Sequence, residues 1–263
     1  MRSRSAPYDN SGCGIHRGSW GWPRRPFAWK DTQQYGSVPA VWWFSSQEKE
    51  DYTKLKAYSS ILLHRCMGKV VEKVVAELLS EEVQRCGLLS DRQFRSRKEQ
   101  SAIDAAAIMV NRAHAAWTNG HMTGGLLGNI KAAFRRVLQG TLVDWMKGKQ
   151  MDWDHIRWMK SFLSDRTVEM IFEGNSIERH AVEAGVPLGS PVSPILFAIY
   201  TSGLIKWRKE YVSAAEELSF VDDLGWVVAG YDVNQVVTIL ARCAATSIEW
   251  ASRRRLLFNT AKM

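Results

Sequence analysis

The pattern of apolar and polar positions along the chain predicts a succession of helices and strands. From Met67 to Leu79 the apolar residues recur at helical spacing, and Gly87 follows them as a stop signal. The apolar stripe consists of Met67, Val70, Val71, Val74, Val75, Leu78 and Leu79. This spacing predicts an amphipathic helix that buries the stripe, including Val70, Val74 and Leu78, and exposes the charged residues between them, such as Glu72.

Mixed helices and strands are predicted for the rest of the chain. Ser101 and Asp104 form a capping-box signal at the start of an alanine-rich helix that extends to about Trp117. Further predicted elements are a buried strand at 123–130, helices at 131–146 and 152–163, strands at 167–172 and 177–182, a helix from 193, a helix at 232–254 and a short strand at 256–258. Because both hairpins and helices connect the strands, the order of elements predicts an α+β fold.

Two adjacent acidic residues, Asp222 and Asp223, separate two short apolar runs at 218–221 and 224–229. This pattern predicts two strands joined by a tight acidic turn. Carboxylate oxygens are hard ligands that suit Mg²⁺, which proteins commonly bind through one or two carboxylates together with substrate phosphates. The alternative interpretation is a solvated hairpin tip, since Asp is a favoured turn residue.

Composition and charge restrict the class of protein. The chain has 263 residues, is 46% hydrophobic and has a formal net charge of +8, which predicts a polyanionic partner and allows one large domain or two modest ones. Residues 1–30 carry six Arg or Lys residues against Asp9 alone. This segment is interpreted as a nucleic-acid-binding arm, a transit segment, an extension without function, or noncoding sequence read through in a decayed gene.

No run reaches the roughly 18 apolar residues of a membrane span, and no secretory signal core is present, so we expect an intracellular protein without a membrane partner.

Several sequence strings resemble the motifs of reverse transcriptases. The string Gly-Val-Pro-Leu-Gly-Ser-Pro-Val-Ser-Pro-Ile-Leu-Phe at 185–197, followed by Phe-Val-Asp-Asp at 220–223, is similar to two successive motifs of that family. Residues 93–101 resemble its fingers motif, and residues 126–134 resemble its first palm motif. The run from 51 to 263 is most similar to the enzymes of non-LTR retrotransposons, particularly the Tad-like elements of filamentous fungi.

This resemblance implies the fold of a right-hand polymerase. The fingers would extend over residues 46–122, and a ferredoxin-like palm would extend over residues 123–263. Residues 1–45 would form a poorly ordered extension, and the thumb would be missing. The implied location is the nucleus or the cytoplasm, with the mitochondrion left open, and the oligomeric state is also open.

The resemblance also implies the chemistry and the partners of the site. Two Mg²⁺ ions would bridge the palm carboxylates and a deoxynucleoside triphosphate, on an RNA template with a DNA primer. Asp222 would be the principal ligand from the hairpin, with Asp223 beside it.

Other residues match substrate-binding positions of the family, and Lys262 matches a catalytic one. Arg97 and Lys98 would contact the triphosphate, Phe134 would lie beneath the sugar and exclude a 2′-hydroxyl, and Lys262 matches the lysine of the last palm motif. The residues that match the glycine-rich loop near the templating base pair are Gly185, Pro187, Gly189 and Ser190.

One departure from the family pattern affects the metal site directly. Asn129 stands where the family carries the aspartate of its first palm motif. An amide oxygen can bind Mg²⁺ but brings no negative charge, so we expect impaired catalysis. Further departures are Leu188, Arg135, Arg95, Glu99 and the pair Ser59-Ser60. They leave two alternatives to an active enzyme of this class: a noncatalytic nucleic-acid-binding remnant, and a maturase of the group II intron type.

Overall fold

The structure is a computed structural model that describes residues 40–46, 58–63, 66–94, 101–172, 175–211 and 215–260. Six α-helices lie in these ranges: α1 (Cys66–Arg85), α2 (Ala102–Thr118), α3 (Gln139–Gly148), α4 (Trp153–Leu163), α5 (Ser193–Tyr211) and α6 (Val233–Arg253). The same ranges contain eight strands: β1 (Ala40–Ser46), β2 (Tyr58–Leu63), β3 (Gln93–Phe94), β4 (Met122–Asn129), β5 (Thr167–Phe172), β6 (Asn175–Ala181), β7 (Ala215–Phe220) and β8 (Asp223–Gly230). The prediction of a mixed α+β fold is confirmed.

Two four-stranded sheets organise these elements. The central sheet has the order β3-β7-β8-β4, in which β7, β8 and β4 are antiparallel and β3 is parallel to β7. The second sheet has the order β2-β1-β5-β6, with β1 parallel to β5. The second sheet therefore combines strands that lie before and after residue 122.

Both faces of the central sheet are covered along β8. Leu224, Trp226 and Val228 alternate on one face and belong to the main core, to which α5 and α6 also contribute. On the other face α2 packs against the sheet, and an added Cβ at Gly225 would lie 3.5 Å from the Met109 side chain. This double burial holds β8 in one register.

None of the helices in the described ranges is long and apolar enough to cross a membrane.

Helix α2 begins as the sequence predicts. The Ser101 hydroxyl accepts a hydrogen bond from the Asp104 amide, and the Asp104 carboxylate accepts one from the Ser101 amide at 2.7 Å. The Ser101 hydroxyl also donates to the Asp104 carboxylate at 2.7 Å, and this bond, followed by the one from the Ser101 amide, holds the pKa of the Asp104 carboxyl below its usual value. The capping box is therefore confirmed.

Helix α1 buries a face that overlaps the predicted one only in part. Val75 and Leu79 of the predicted stripe are buried. Val70 and Val74 are 58% and 52% exposed, whereas Glu72 is only 3% exposed. The prediction that Val70 and Val74 face the core was therefore wrong, as was the exposure of Glu72. Sequence spacing could not locate this face because its buried carboxylates depend on distant partners. Glu82, also buried, accepts hydrogen bonds from the Asp152 amide at 2.5 Å and from the His155 ring.

Three other predicted elements differ in the structure. Within β4 only Gly128 is buried, so the strand is not the buried one predicted. The predicted helix at 131–146 is replaced by a 3₁₀ turn (Ala133–Arg136) followed by α3. The carbonyls of Phe134 and Val137 accept hydrogen bonds from Val186 and Gly185, so they are not used by a continuous helix. The strand expected at 256–258 is reduced to one bridge between Phe258 and Ile130.

Candidate active site

The acidic pair lies at the β7–β8 hairpin, with a turn formed by Val221 and Asp222. Phe220 and Asp223 are paired across the two strands, so Asp223 is the first residue of β8 rather than part of the turn. Val221 has φ of 60°, a left-handed conformation that costs a β-branched residue on the order of 1–3 kcal/mol. The Val221 side chain packs against the main core, which holds this conformation in place.

Strand β4 brings Asn129 directly opposite Asp223. The two residues are register partners, and Asn129 Nδ2 donates to Asp223 Oδ1 at 2.8 Å. The next amide, that of Ile130, donates to the carbonyl of Asp222 at 2.9 Å. The tertiary structure thus brings together the three residues that the sequence singled out around the acidic turn.

The orientation of the Asn129 amide follows from the chemistry of its partner. An ionised carboxylate only accepts hydrogen bonds, so the amide must turn its NH₂ group towards Asp223. The amide oxygen, which is the one atom of this side chain able to bind a hard cation, then points away from the Asp223 oxygen. The two oxygens therefore do not converge on a shared ion.

The donor set does not fit a two-metal centre. In the part of the chain that the structure describes, no group of three or more His, Cys, Asp or Glu residues is arranged to hold a metal ion. Two carboxylates and one donated N–H remain at the hairpin. The neutral Asn129 amide therefore gives Asp223 a hydrogen-bond donor at the place where a site made only of carboxylates would need a cation.

Replacing Asn129 by Asp should make folding stability depend on Mg²⁺. The variant removes the hydrogen bond and places two carboxylates opposite each other, so without metal we expect the free energy of unfolding to fall by roughly 1–3 kcal/mol. Added Mg²⁺ should restore much of this loss because the ion binds only the folded pair. Thermal denaturation in chelator and in Mg²⁺ measures the effect.

The control for this stability prediction is Asn234→Asp. It adds the same charge at an exposed position in the first turn of α6. It should show no stabilisation by Mg²⁺, and neither should the unmodified chain. An equal Mg²⁺ response in all three proteins would contradict the prediction.

The glycine-rich loop packs closely against the backbone that follows β4. Gly185 has φ of 83°, and a Cβ added there would lie 2.9 Å from both the Phe134 oxygen and the Arg135 Cα. The Val186 amide donates to the same Phe134 oxygen at 2.8 Å. The Phe134 ring in turn contacts Phe197 of α5, with 5.4 Å between ring centroids. Gly185 therefore allows the loop to pack against the Phe134 backbone, on the side of the chain where Phe134 meets α5.

The other predicted loop residues have mainly local contacts. The Pro187 carbonyl accepts a hydrogen bond from the Ser193 hydroxyl at 2.6 Å, and the Ser190 hydroxyl accepts one from the Val192 amide at 3.2 Å. Both Pro187 and Ser190 are buried, whereas Gly189 is exposed with φ of 88°. These contacts hold the loop at the start of α5.

Arg166 is a residue of this site that sequence reasoning missed. Its Nη1 donates to the Gly185 carbonyl at 2.9 Å. Burial lowers the pKa of Arg166 to about 10, while the negative charge of Glu72 acts in the opposite direction. No local signal marks this residue, because its partners come from α1 and from the glycine-rich loop.

Three predicted site residues lie outside the described ranges. These are Arg97, Lys98 and Lys262. Their roles at the triphosphate and in the last palm motif stay predictions.

Comparison with protein families and curated proteins gives consistent matches. The family model described as "Reverse transcriptase (RNA-dependent DNA polymerase)" matches residues 48–263. The chain is 24% identical over 249 residues to the "Probable RNA-directed DNA polymerase from transposon X-element" of Drosophila melanogaster, covering 90% of this chain and 25% of that protein. It is 25% identical over 212 residues to the "RNA-directed DNA polymerase from mobile element jockey" of Drosophila funebris, covering 78% and 23%. The chain thus spans about a quarter of the length of these relatives.

Solved structures share the fold. A telomerase from Candida tropicalis in complex with a fragment of telomeric RNA matches with a TM-score of 0.61 and 12% identity, over 86% of this chain and 41% of that one. Apo telomerase from the same organism, truncated from its C-terminal domain, matches with a TM-score of 0.57 and 14% identity, over 86% and 50%. At these identities the likeness concerns the fold alone.

Proposed function

The chain belongs to the reverse transcriptase family, and from this membership we propose that it is the RNA-directed DNA polymerase domain of a non-LTR retrotransposon. Its similarity to polymerases of the transposon X-element and the mobile element jockey supports this class over a group II intron maturase. The finer part of the proposal is a place near the Tad-like elements of filamentous fungi, and it rests on the resemblance of the whole run from 51 to 263 to those enzymes.

The proposed architecture is that of a right-hand polymerase, with a fingers part and a ferredoxin-like palm. The antiparallel strands β4, β7 and β8, with α5 and α6 on one face, support the assignment of the palm. On this proposal β5 and β6 join the fingers, because they share a sheet with β2 of the fingers range. In that sheet β5 pairs with β1, the neighbour of β2, and β6 pairs with β5. The substrates would be an RNA template, a DNA primer and deoxynucleoside triphosphates, in the nucleus or cytoplasm.

We also propose that polymerisation by this chain is impaired. The hydrogen bond from Asn129 to Asp223 supports this proposal. In the family, two Mg²⁺ ions held by carboxylates would activate the primer hydroxyl and neutralise the leaving pyrophosphate. Here the Asn129 side chain satisfies Asp223 with a hydrogen bond and directs its oxygen elsewhere. The residues present therefore do not fit that metal pair, and no catalytic step is assigned to this chain.

The same observation favours a second candidate function, which is noncatalytic nucleic-acid binding. The formal net charge of the chain is +8, and positive charge attracts nucleic acid whether or not chemistry follows. Binding that is strongly salt-dependent and is not followed by turnover would distinguish this candidate from an active polymerase.

The test of impaired polymerisation is primer extension by the unmodified chain beside its Asp222→Ala variant. Both would receive an RNA template, a DNA primer, deoxynucleotides and Mg²⁺. We expect the two proteins to give the same background, because a site without converging ligands gains nothing from Asp222. Extension that exceeds this background and requires Asp222 would overturn the impairment and establish an active polymerase.

A further inference from the structure

Two chain segments run side by side next to the acidic hairpin. The Asn259 amide donates to the Asn129 carbonyl at 2.8 Å, and the Lys131 amide donates to the Leu257 carbonyl at 2.7 Å. Arg136 Nη1 approaches the Arg255 carbonyl at 3.5 Å at the far end of the pair. Residues 129–136 and 254–260 therefore form one continuous surface that begins at Asn129.

This surface carries positive charge without an internal counter-charge. Neither segment contains an acidic residue. Lys131 and Arg255 are exposed and Arg136 is half-buried, and among the described residues none of the three forms an ion pair. The nearby Arg253 is instead paired with Glu249 at 2.7 Å. We refer to Lys131, Arg136 and Arg255 as the cationic ridge.

Arg255 occupies a backbone position that normally favours glycine. Helix α6 ends in a Schellman motif, in which the Leu256 amide donates to the Ala251 carbonyl at 2.9 Å and the Arg255 amide to that of Ser252 at 3.1 Å. Arg255 is the left-handed residue of this motif, with φ of 56°. An arginine here costs about 1 kcal/mol relative to glycine.

The residue before it anchors the ridge to the core. The Arg254 guanidinium lies 5.1 Å from the Trp250 ring centroid and 6.0 Å from that of Tyr200, whose hydroxyl donates to the Arg254 carbonyl at 2.9 Å. These contacts fix the end of α6 and the direction in which the chain leaves it. Arg255 is thus presented from a rigid support.

We propose that the cationic ridge binds the phosphodiester backbone of a single-stranded nucleic acid without a metal ion. Its cations lie on two segments that lead away from Asn129, which suits successive phosphates of a strand that ends at the hairpin. Lys and Arg contacts to phosphates displace condensed counterions and need no divalent ion. The identity of the ligand rests on the proposed function, whereas the existence of an anion site rests on the charges alone.

Fluorescence anisotropy with a labelled oligodeoxythymidylate in chelator tests this site, with Arg255→Gly as the variant. Loss of one phosphate contact should weaken binding roughly fivefold at about 0.1 M salt and reduce the slope of log affinity against log salt by about 0.7. The same substitution relieves the left-handed backbone, so the melting temperature should stay unchanged or rise. A loss of binding without a loss of stability separates ligand contact from a structural role.

Lys160→Gln is the matched control, since it removes one exposed positive charge from α4. Unchanged binding by Arg255→Gly, or an equal loss in the control, would overturn the proposal. Competition with thymidine triphosphate covers the other anion. If the triphosphate displaces the oligonucleotide from the unmodified chain, and if Arg255→Gly weakens the binding of both ligands by the same factor, the ridge is a triphosphate site and the proposal is wrong. Because the assay contains neither metal nor extension chemistry, failure of polymerisation leaves its result intact.

Discussion

Replacing Asn129 by aspartate is expected to raise Mg²⁺-dependent primer extension on an RNA template by at least about 100-fold. Even residues that only hydrogen-bond to metal ligands commonly change metal affinity or activity by about 10–100-fold, and a direct ligand should contribute at least as much. The substitution exchanges an N–H donor for a second carboxylate directly opposite Asp223. Oxygens of both side chains can then converge on a cation, whereas in the unmodified chain the Asn129 amide directs its N–H towards Asp223. Single-nucleotide incorporation under matched protein, primer and template concentrations measures the gain.

The control for this gain combines Asn129→Asp with Asp222→Ala. This double variant should return to background if the restored activity uses the hairpin carboxylates. Absence of extension by Asn129→Asp, in protein that melts cooperatively, would contradict the prediction and favour the noncatalytic binding function. Extension that persists without Asp222 would show that the activity comes from a contaminating polymerase.

Replacing Gly185 by alanine is expected to lower the free energy of unfolding by about 2–5 kcal/mol, because a left-handed backbone conformation costs about 1–2 kcal/mol and overpacking about 1–3 kcal/mol. The new Cβ would lie 2.9 Å from the Phe134 oxygen and from the Arg135 Cα. Both are backbone atoms, which cannot move away as the end of a side chain can. The hydrogen bond from Val186 to Phe134 would be displaced with them. Urea denaturation monitored by tryptophan fluorescence measures the loss.

Gly87→Ala separates the two causes of that loss. Gly87 also has positive φ, of 58°, but an added Cβ there meets nothing within 4 Å. It should therefore cost only the backbone term, about 1–2 kcal/mol. Equal losses at Gly87 and Gly185 would show that the close approach to Phe134 contributes nothing.

Local patterns predicted much of the secondary structure correctly. The capping box at Ser101, the helical face of Ile156, Met159 and Phe162, and the two strands around the acidic turn all depend on residues within a few positions of each other. Such features follow from backbone geometry and from the spacing of apolar side chains. They were predictable because their causes lie within the same short segment.

Features that depend on distant partners were not predictable in this way. Glu72 and Glu82 are buried in α1 because Arg166, Asp152 and His155 lie beside them in the fold. The helix expected after Ile130 is interrupted because the loop at Gly185 uses its carbonyls. In both cases the partner is tens of residues away in the sequence.

The acidic turn shows the same division within one site. The sequence by itself determined the chemistry available there: two carboxylates in a hairpin, and an amide at the position where the family carries an acid. Only the tertiary structure decided that Asn129 and Asp223 are direct partners, joined by a hydrogen bond of 2.8 Å. The register of β4 against β8 sets that pairing, and it arises from burial of β8 on both faces, a property of the assembled sheet and helices rather than of either strand.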